Sequence, residues 1–220
     1  MIVSHRHRFI YLRTRKTAST SLEIALSRIC GSDDVITTIA PRDELVRREH
    51  GGLPPQNLEP VDGIQPYNHM PAGEIRAYVG QEVWRSYLKF TVERDPLEKV
   101  VSLYFHRYKT EPRPDLRAFV RTSEALDARN WPLYTIGGIV ALDLVGNYDH
   151  LTVFVSEIED RLVADIGPLP AAKTQFREDH RPARSILSEA EARALAEAYS
   201  PEPLPFNHRA WIDYEREPAD

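Results

Sequence analysis

A polar loop between an apolar strand and a helix constrains this chain more than any other part of its sequence. Residues 9–12 form an apolar, aromatic run, and apolar residues then recur at helical spacing from Leu22 to Ile29. The nine residues between them, 13–21, hold three cationic side chains, five hydroxyl groups and no glycine. A strand, a loop and a helix in this order predict the opening of a nucleotide-binding fold.

The same pattern recurs further along the chain. Residues 88–92 look like a buried strand, and Pro96 stands where a first helical residue would be, with apolar residues continuing on one face. Residues 151–155 are predicted to form another strand, and capping-box patterns predict helices over 156–166 and 188–199. This alternation predicts an α/β fold with a central, mainly parallel sheet flanked by helices and with ligands beyond the carboxyl ends of the strands.

Length and composition bound the remaining possibilities. We predict a single domain over residues 1–220, in which residues 41–71 form a long connection with little regular structure and residues 113–131 a weakly periodic helix of unassigned role. A net charge of -5 gives no overall attraction to nucleic acid or anionic membranes. No apolar run reaches the length of a signal peptide or membrane helix, and the single cysteine, Cys30, is expected in the core. We therefore expect a cytoplasmic protein.

The loop at residues 13–21 is predicted to bind an oxyanion. Amides at a helix start and nearby hydroxyls donate to phosphate oxygens, and Lys16 can stabilise charge that builds on a leaving phosphate. The alternative is an ordinary helix cap, in which Thr20 or Ser21 binds the first amides. A Walker A loop needs glycines to wrap phosphates, and their absence weakens an assignment as a kinase or ATPase.

A second candidate site follows the strand at residues 88–92. Arg94 stands at the strand end and Ser102 lies two helical turns further on, so the two side chains are placed to bind a second phosphate. The alternative is a surface ion pair between Arg94 and Asp95 together with a buried serine.

Together the two motifs resemble those of the sulfotransferases. Residues 16–21 look like that family's 5′-phosphosulfate loop, usually written P-K-T-x-x-T-S, and Arg94-Asp95-Pro96 with residues 102–104 looks like its 3′-phosphate motif. The resemblance covers most of the chain, includes a weaker similarity at 146–151, and is nearest to the branch of heparan sulfate 2-O-sulfotransferase and related bacterial proteins. It implies a P-loop-like sulfotransferase fold.

The resemblance also implies a donor, 3′-phosphoadenosine 5′-phosphosulfate (PAPS), and an acceptor hydroxyl on a small molecule or a glycan. Lys16 would contact the phosphosulfate, and Arg94 and Ser102 the 3′-phosphate. The amides and hydroxyls of the loop would complete the donor site, which comprises Arg15, Lys16, Thr17, Ala18, Ser19, Thr20 and Ser21. Arg15 departs from the usual proline, which puts donor geometry in question. Residues 41–71 are then expected on the acceptor side.

The remaining site residues also follow from the resemblance. Residues 67–70 resemble the segment that supplies a catalytic histidine in the glycan-acting branch, so His69 is the expected general base, with Glu93 and His106 as alternatives. Lys173 and Arg177 lie in a basic loop of the kind that closes over the nucleotide, although a solvated charge cluster is the alternative.

No metal-ligand spacing is present, and we expect no metal. Two rival functions stay open, an ATP-dependent phosphotransferase and a non-catalytic protein that binds a nucleotide or a sulfated glycan. The sequence predicts no oligomeric state.

Overall fold

The fold was analysed in a computed structural model, which describes residues 1–171, 177 and 179–200. The strands are β1 (Ile2–Ser4), β2 (Phe9–Tyr11), β3 (Val35–Ile36), β4 (Leu88–Glu93), β5 (Thr135–Ile136), β6 (Ile139–Val140) and β7 (Leu144–Asn147). The α-helices are α1 (Ser19–Ser27), α2 (Pro41–Glu49), α3 (Ala72–Ser86), α4 (Pro96–Arg107), α5 (Leu116–Phe119), α6 (Trp131–Tyr134), α7 (Leu151–Leu162), α8 (Ala183–Ile186) and α9 (Glu189–Tyr199). Two 3₁₀ helices span Ser123–Ala128 and Tyr148–His150.

The central sheet has five strands in the order β3-β1-β2-β4-β7, and β5 pairs with β6 in a separate hairpin. β2, β4 and β7 run parallel to one another, whereas β1 is antiparallel to both β2 and β3. The carboxyl ends of the three parallel strands therefore meet at one edge of the sheet. The two predicted strand-loop-helix units, β2-α1 and β4-α4, are confirmed, and both of their loops open at this edge.

Both faces of the sheet are covered, which explains why β2 reads as a continuous apolar run. Phe9 and Tyr11 point into a cluster with α1 and α7, whereas Ile10 and Leu12 pack on the opposite face with α3. A third cluster joins α4 to α5, α8 and α9. The buried Cys30 belongs to the first cluster, as expected from the sequence.

Both predicted helix starts, at Pro96 and at Ser188, are confirmed, although the cap at Asp95 was not predicted. Asp95 caps α4 by accepting hydrogen bonds from the amides of Leu97 (2.8 Å) and Glu98 (3.2 Å), and Pro96 occupies the first turn. Ser188 and Glu191 form a complete capping box at the start of α9.

The predicted strand at residues 151–155 is wrong, because these residues form the first turns of α7. Phe154 and Ile158, four residues apart, face the core, while Val153 is 70% exposed, so the burial follows a helical period. The strand of this unit is β7, just upstream. Ser156 lies inside α7 and caps nothing, and the helix ends at Leu162 rather than near residue 166.

Two other predictions need correction. The segment 41–71 contains α2, whose first turn holds Pro41 and acidic residues and whose last turn holds two arginines, so its ends complement the helix dipole. Residues 113–131 form short helical pieces in place of one helix. No strand was predicted at β1 or β3, and no helix at α3. α3 is interrupted at Gly80, whose φ of 76° is not helical. Among the described helices, none combines the length and apolarity needed to cross a bilayer.

Gly146 of β7 provides a test of this packing. A Cβ at this position would lie 2.4 Å from the ring of Phe154, which is held in the core. We expect Gly146→Ala to lower the stability by about 1–3 kcal/mol, because the ring must move out of a packed site. Thermal unfolding should show a Tm lower by roughly 2–12 °C.

Gly73→Ala is the matched control, because its new methyl group would meet only an Ile136 carbon at 3.9 Å. This variant should keep or raise the Tm, since alanine favours the helix. Equal Tm values for Gly146→Ala and the wild type would contradict the described contact between β7 and α7.

Candidate active site

A cavity of about 400 Å³ opens at the carboxyl ends of β2, β4 and β7. Its volume lies within the range typical of small-molecule sites. It brings together ten of the residues singled out in the sequence, namely Arg15, Lys16, Thr17, Ala18, Ser19, Thr20, Ser21, His69, Arg94 and Ser102. Among the described residues, the cationic side chains of Arg13, Arg15, Lys16 and Arg94 line it, and Asp127 supplies the one carboxylate. The cavity lining is thus locally cationic in a chain whose net charge is -5.

The loop between β2 and α1 wraps without glycine. Lys16 (φ 63°) and Ala18 (φ 56°) both adopt left-handed backbone conformations, which carry a steric cost in residues with a Cβ. The Thr14 hydroxyl fixes the start of this turn. It donates to the carbonyl of Val92 at 2.5 Å and lies 2.8 Å from the Thr17 hydroxyl. The loop is therefore attached to the end of β4.

The start of α1 differs from an ordinary capped helix. Its N-cap residue, Ala18, offers no side-chain hydrogen bond, and no acidic residue lies in the first turn. The hydroxyls of Thr20 and Ser19 accept from the Arg13 guanidinium, at 2.6 and 3.3 Å. The alternative of an ordinary cap by Thr20 or Ser21 is therefore not supported. The first turn of α1 combines backbone amides and hydroxyls without an acidic residue, an arrangement that suits an anion.

Arg13 is held by a buried ion pair. Its guanidinium lies 3.2 Å from Glu23 Oε2 of α1, and Glu23 also binds Arg47 of α2 at 3.1 Å. All three side chains are at most 4% exposed. Arg13 therefore orders the hydroxyls of the first turn of α1. Its role as a site residue was not predicted from the sequence.

Arg94 lines the cavity and does not form the surface ion pair with Asp95 that was the alternative. Its Nη2 is 3.2 Å from Glu98 Oε2, and its guanidinium lies 4.1 Å from the centroid of the Tyr148 ring. Asp95 caps α4 instead of pairing with Arg94. The Nε atom of Arg94 is buried and makes no hydrogen bond. A buried donor without a partner favours a ligand that supplies an acceptor.

Tyr148, which follows β7, was not predicted as a site residue. It lies within the segment 146–151 that carried a weak similarity, but only the parallel pairing of β7 with β4 places its ring beside Arg94. Stacking on an aromatic ring holds a guanidinium plane in a fixed orientation.

His69 lies beside the loop between β2 and α1 and is held by a backbone carbonyl of that loop. Its Nδ1 is 3.0 Å from the Arg13 carbonyl, which can only accept, so Nδ1 carries the proton and Nε2 has a free lone pair. Burial and the charge of Arg13 lower the pKa of His69 to about 3. His69 also has a left-handed φ of 61°. The ring is thus a neutral hydrogen-bond acceptor at neutral pH.

The other predicted residues lie elsewhere or outside the described chain. Arg177 does not line the cavity and binds Glu98, the partner of Arg94, at 2.5 Å. Lys173 lies outside the described residues. His106 lines the cavity, whereas Glu93 is buried in an ion pair with Lys99 at 2.9 Å. Within the described ranges, no cluster of three or more His, Cys, Asp or Glu side chains is arranged to bind a metal.

The environment of His69 predicts an unusual titration. In nitrogen-15 NMR spectra of histidine-labelled protein, the His69 signals should stay those of the neutral Nδ1-H tautomer from about pH 8 down to about pH 5. The His69→Ala spectrum assigns the signals. Protonation near an ordinary value of about 6.5 would show that neither burial nor Arg13 acts on the ring as described.

Comparison with known proteins agrees with this geometry. A protein of Archaeoglobus fulgidus, described as uncharacterized, is 35% identical over 98 residues, which cover 42% of this chain and 82% of that protein. No solved structure matches the chain significantly. A family model described as "Sulfotransferase family" matches residues 1–130, more than half of the chain and the part that holds both basic motifs and His69. The chain belongs to the sulfotransferase family.

Proposed function

We propose that the protein transfers a sulfuryl group from PAPS to an acceptor hydroxyl. The observation that carries this proposal is the shared cavity, which joins a loop rich in donors, a second cationic site at Arg94 and a neutral histidine. Family membership supports sulfuryl transfer, and the presence of two separate cationic sites in one cavity, at Lys16 and at Arg94, supports a donor with two phosphate groups. PAPS supplies a sulfuryl group that is activated by a phosphate leaving group.

The residues around the cavity fit such a donor. Lys16 and the first turn of α1 provide cationic and neutral donors for one phosphate group. Arg94, with its unpartnered Nε, and the Ser102 hydroxyl provide donors for a second. Tyr148 and Leu151 line the same cavity as Arg94 and offer apolar surface to the adenine ring of the donor.

His69 is suited to accept the proton of the acceptor hydroxyl at Nε2. The acceptor oxygen then forms a bond to sulfur as the bond from sulfur to the phosphate oxygen breaks. The electron pair of that bond stays on the phosphate, where Lys16 stabilises the added charge. The products are the sulfated acceptor and adenosine 3′,5′-bisphosphate. Nδ1-H remains bonded to the Arg13 carbonyl, so the developing imidazolium keeps its orientation.

The acceptor side is proposed to lie next to Arg15 and His69. A second, shallower cavity of about 550 Å³ shares Arg15 and Asp127 with the first and also contacts Arg129 and Pro132. His69 lies near the end of the segment 41–71, and the half-exposed Tyr67 lies two residues before it. We propose a carbohydrate hydroxyl as the acceptor, on the resemblance to the glycan-acting branch. Transfer of labelled sulfate to a panel of oligosaccharides and small alcohols tests this choice.

The donor site can be tested without the acceptor. Calorimetric titration should show that adenosine 3′,5′-bisphosphate binds more tightly than ATP. Lys16→Ala and Arg94→Ala should each weaken this binding by roughly 10- to 100-fold, because each removes a charge-assisted contact. Only Arg94→Ala should leave binding of adenosine 5′-phosphate nearly unchanged. Arg161→Ala is the charge-matched control, since this residue pairs with Glu157 on the surface of α7.

Three outcomes oppose the donor proposal. Preference for ATP with a requirement for magnesium would indicate the phosphotransferase. Equal effects of Arg161→Ala and Arg94→Ala would show a loss of overall charge only. A folded protein that binds none of these nucleotides would refute the donor site itself.

Substitution of His69 separates an enzyme from a binding protein. His69→Ala should lower kcat with the acceptor found in the screen by about 10²- to 10⁴-fold while the affinity for adenosine 3′,5′-bisphosphate changes little. His106→Ala, which removes another histidine that lines the cavity, is the control and should keep most of the turnover. If His106→Ala alone abolishes turnover, His106 is the base. Unchanged turnover in both variants would exclude a histidine base.

A further inference from the structure

Asn130 is a buried residue that contacts the loop at residues 13–21, here called the donor loop, without lining the cavity. Its Oδ1 accepts a hydrogen bond from the Arg15 backbone N-H at 2.8 Å, and its Nδ2 donates to the Arg15 carbonyl at 3.1 Å. One side-chain amide thus binds both backbone groups of a residue 115 positions away. The Arg15 side chain adds a third contact, from Nη1 to the Arg129 carbonyl at 3.3 Å.

The same amide also reaches the second motif. Nδ2 of Asn130 donates to Oε1 of Glu93 at 3.1 Å. This oxygen in turn accepts from the Arg94 backbone N-H at 2.7 Å and lies 2.9 Å from Lys99 Nζ. Glu93, Lys99 and Asn130 are each at most 1% exposed, so the contacts are shielded from water.

We propose that Asn130 is a positioning residue that sets the distance between the two phosphate sites. Arg15 immediately precedes Lys16, and Glu93 immediately precedes Arg94, so Asn130 binds the chain one residue before each proposed phosphate ligand. This inference rests on the proposed function, because the distance matters only for a ligand that contacts both sites.

An amide is suited to this position because it can donate and accept at once. Arg15 has a backbone N-H that needs an acceptor when buried, and Oδ1 provides it. The Arg15 carbonyl and Glu93 both need donors, and Nδ2 has two hydrogens. Aspartate would lose both donors and would place a second carboxylate beside Glu93. Alanine would leave all three partners without this contact.

The strained loop gives a reason for such a contact. Lys16 and Ala18 hold left-handed conformations that persist only where surrounding contacts determine the backbone. The Thr14 hydroxyl fixes the loop before Arg15, and Asn130 fixes Arg15 itself. Asn130 thus adds two hydrogen bonds to the backbone directly before Lys16.

The first test compares ligands that use one or both sites. For Asn130→Asp and Asn130→Ala, we expect the affinity for adenosine 3′,5′-bisphosphate to fall by about tenfold or more, while competition assays with adenosine 5′-phosphate and adenosine 3′-phosphate show losses below about threefold. A ligand joining two sites loses most when their spacing relaxes. Val35→Ala, in the edge strand β3, is the control for a general loss of protein stability away from the site. It should leave the affinities for all three nucleotides unchanged.

The second test needs no ligand. Hydrogen exchange should be faster by about tenfold at the Arg15 amide and its loop neighbours in Asn130→Ala, but not in Val35→Ala. Equal losses for one-site and two-site nucleotides, or unchanged exchange at the loop, would overturn the inference. If the wild type binds none of the nucleotides, the proposed donor fails, and exchange at the loop alone decides whether Asn130 holds it.

Discussion

The buried carboxylate of Glu93, at the end of β4, joins the parts on which the site depends. Removing a carboxylate from water costs several kcal/mol unless an ion pair and further hydrogen bonds compensate. Glu93 has both, through Lys99 of α4, the Arg94 amide and Asn130. Because these three partners come from different segments, one buried charge fixes the first turns of α4, the chain at Arg94 and the contact with the donor loop.

The site stores backbone strain at the residues that face the ligand. Lys16, Ala18 and His69 all have positive φ values, and each such conformation costs roughly 1–2 kcal/mol in a residue with a Cβ. Arg13 connects the compensating contacts. Its carbonyl accepts from His69, and its guanidinium binds Glu23 and the Thr20 hydroxyl. His69 and the start of α1 are therefore positioned by the same residue, Arg13.

The sequence predicted the parts of this site that depend on local signals. The loop before α1 and the start of α4 at Pro96 depend on residues that are adjacent in the sequence, and both lie where expected. Residues 151–155 were misassigned because a short apolar run fits a buried strand or a helix equally well, and only packing of Phe154 on β7 decides between them.

The contacts between distant parts of the chain could not be predicted from the sequence, for a different reason. Asn130 bonds to Arg15 across 115 positions, and Tyr148 reaches Arg94 only because β7 pairs with β4. Neither residue type carries a local pattern that would indicate such a role. The low pKa of His69 likewise depends on burial and on the position of Arg13, which the residue spacing does not reveal.

The charge distribution explains how a weakly basic histidine can serve this chemistry. After burial, the charge of Arg13 is the main cause that lowers the pKa of His69, and Arg15 acts in the same direction. These cations also line the cavity in which an anionic donor would bind. A bound phosphosulfate would offset their field and raise the pKa of His69, because a nearby negative charge favours the protonated ring. The free protein would therefore keep His69 neutral, and donor binding would increase its basicity at the step that requires a proton acceptor. A base tuned in this way depends on the same cationic side chains that hold the donor.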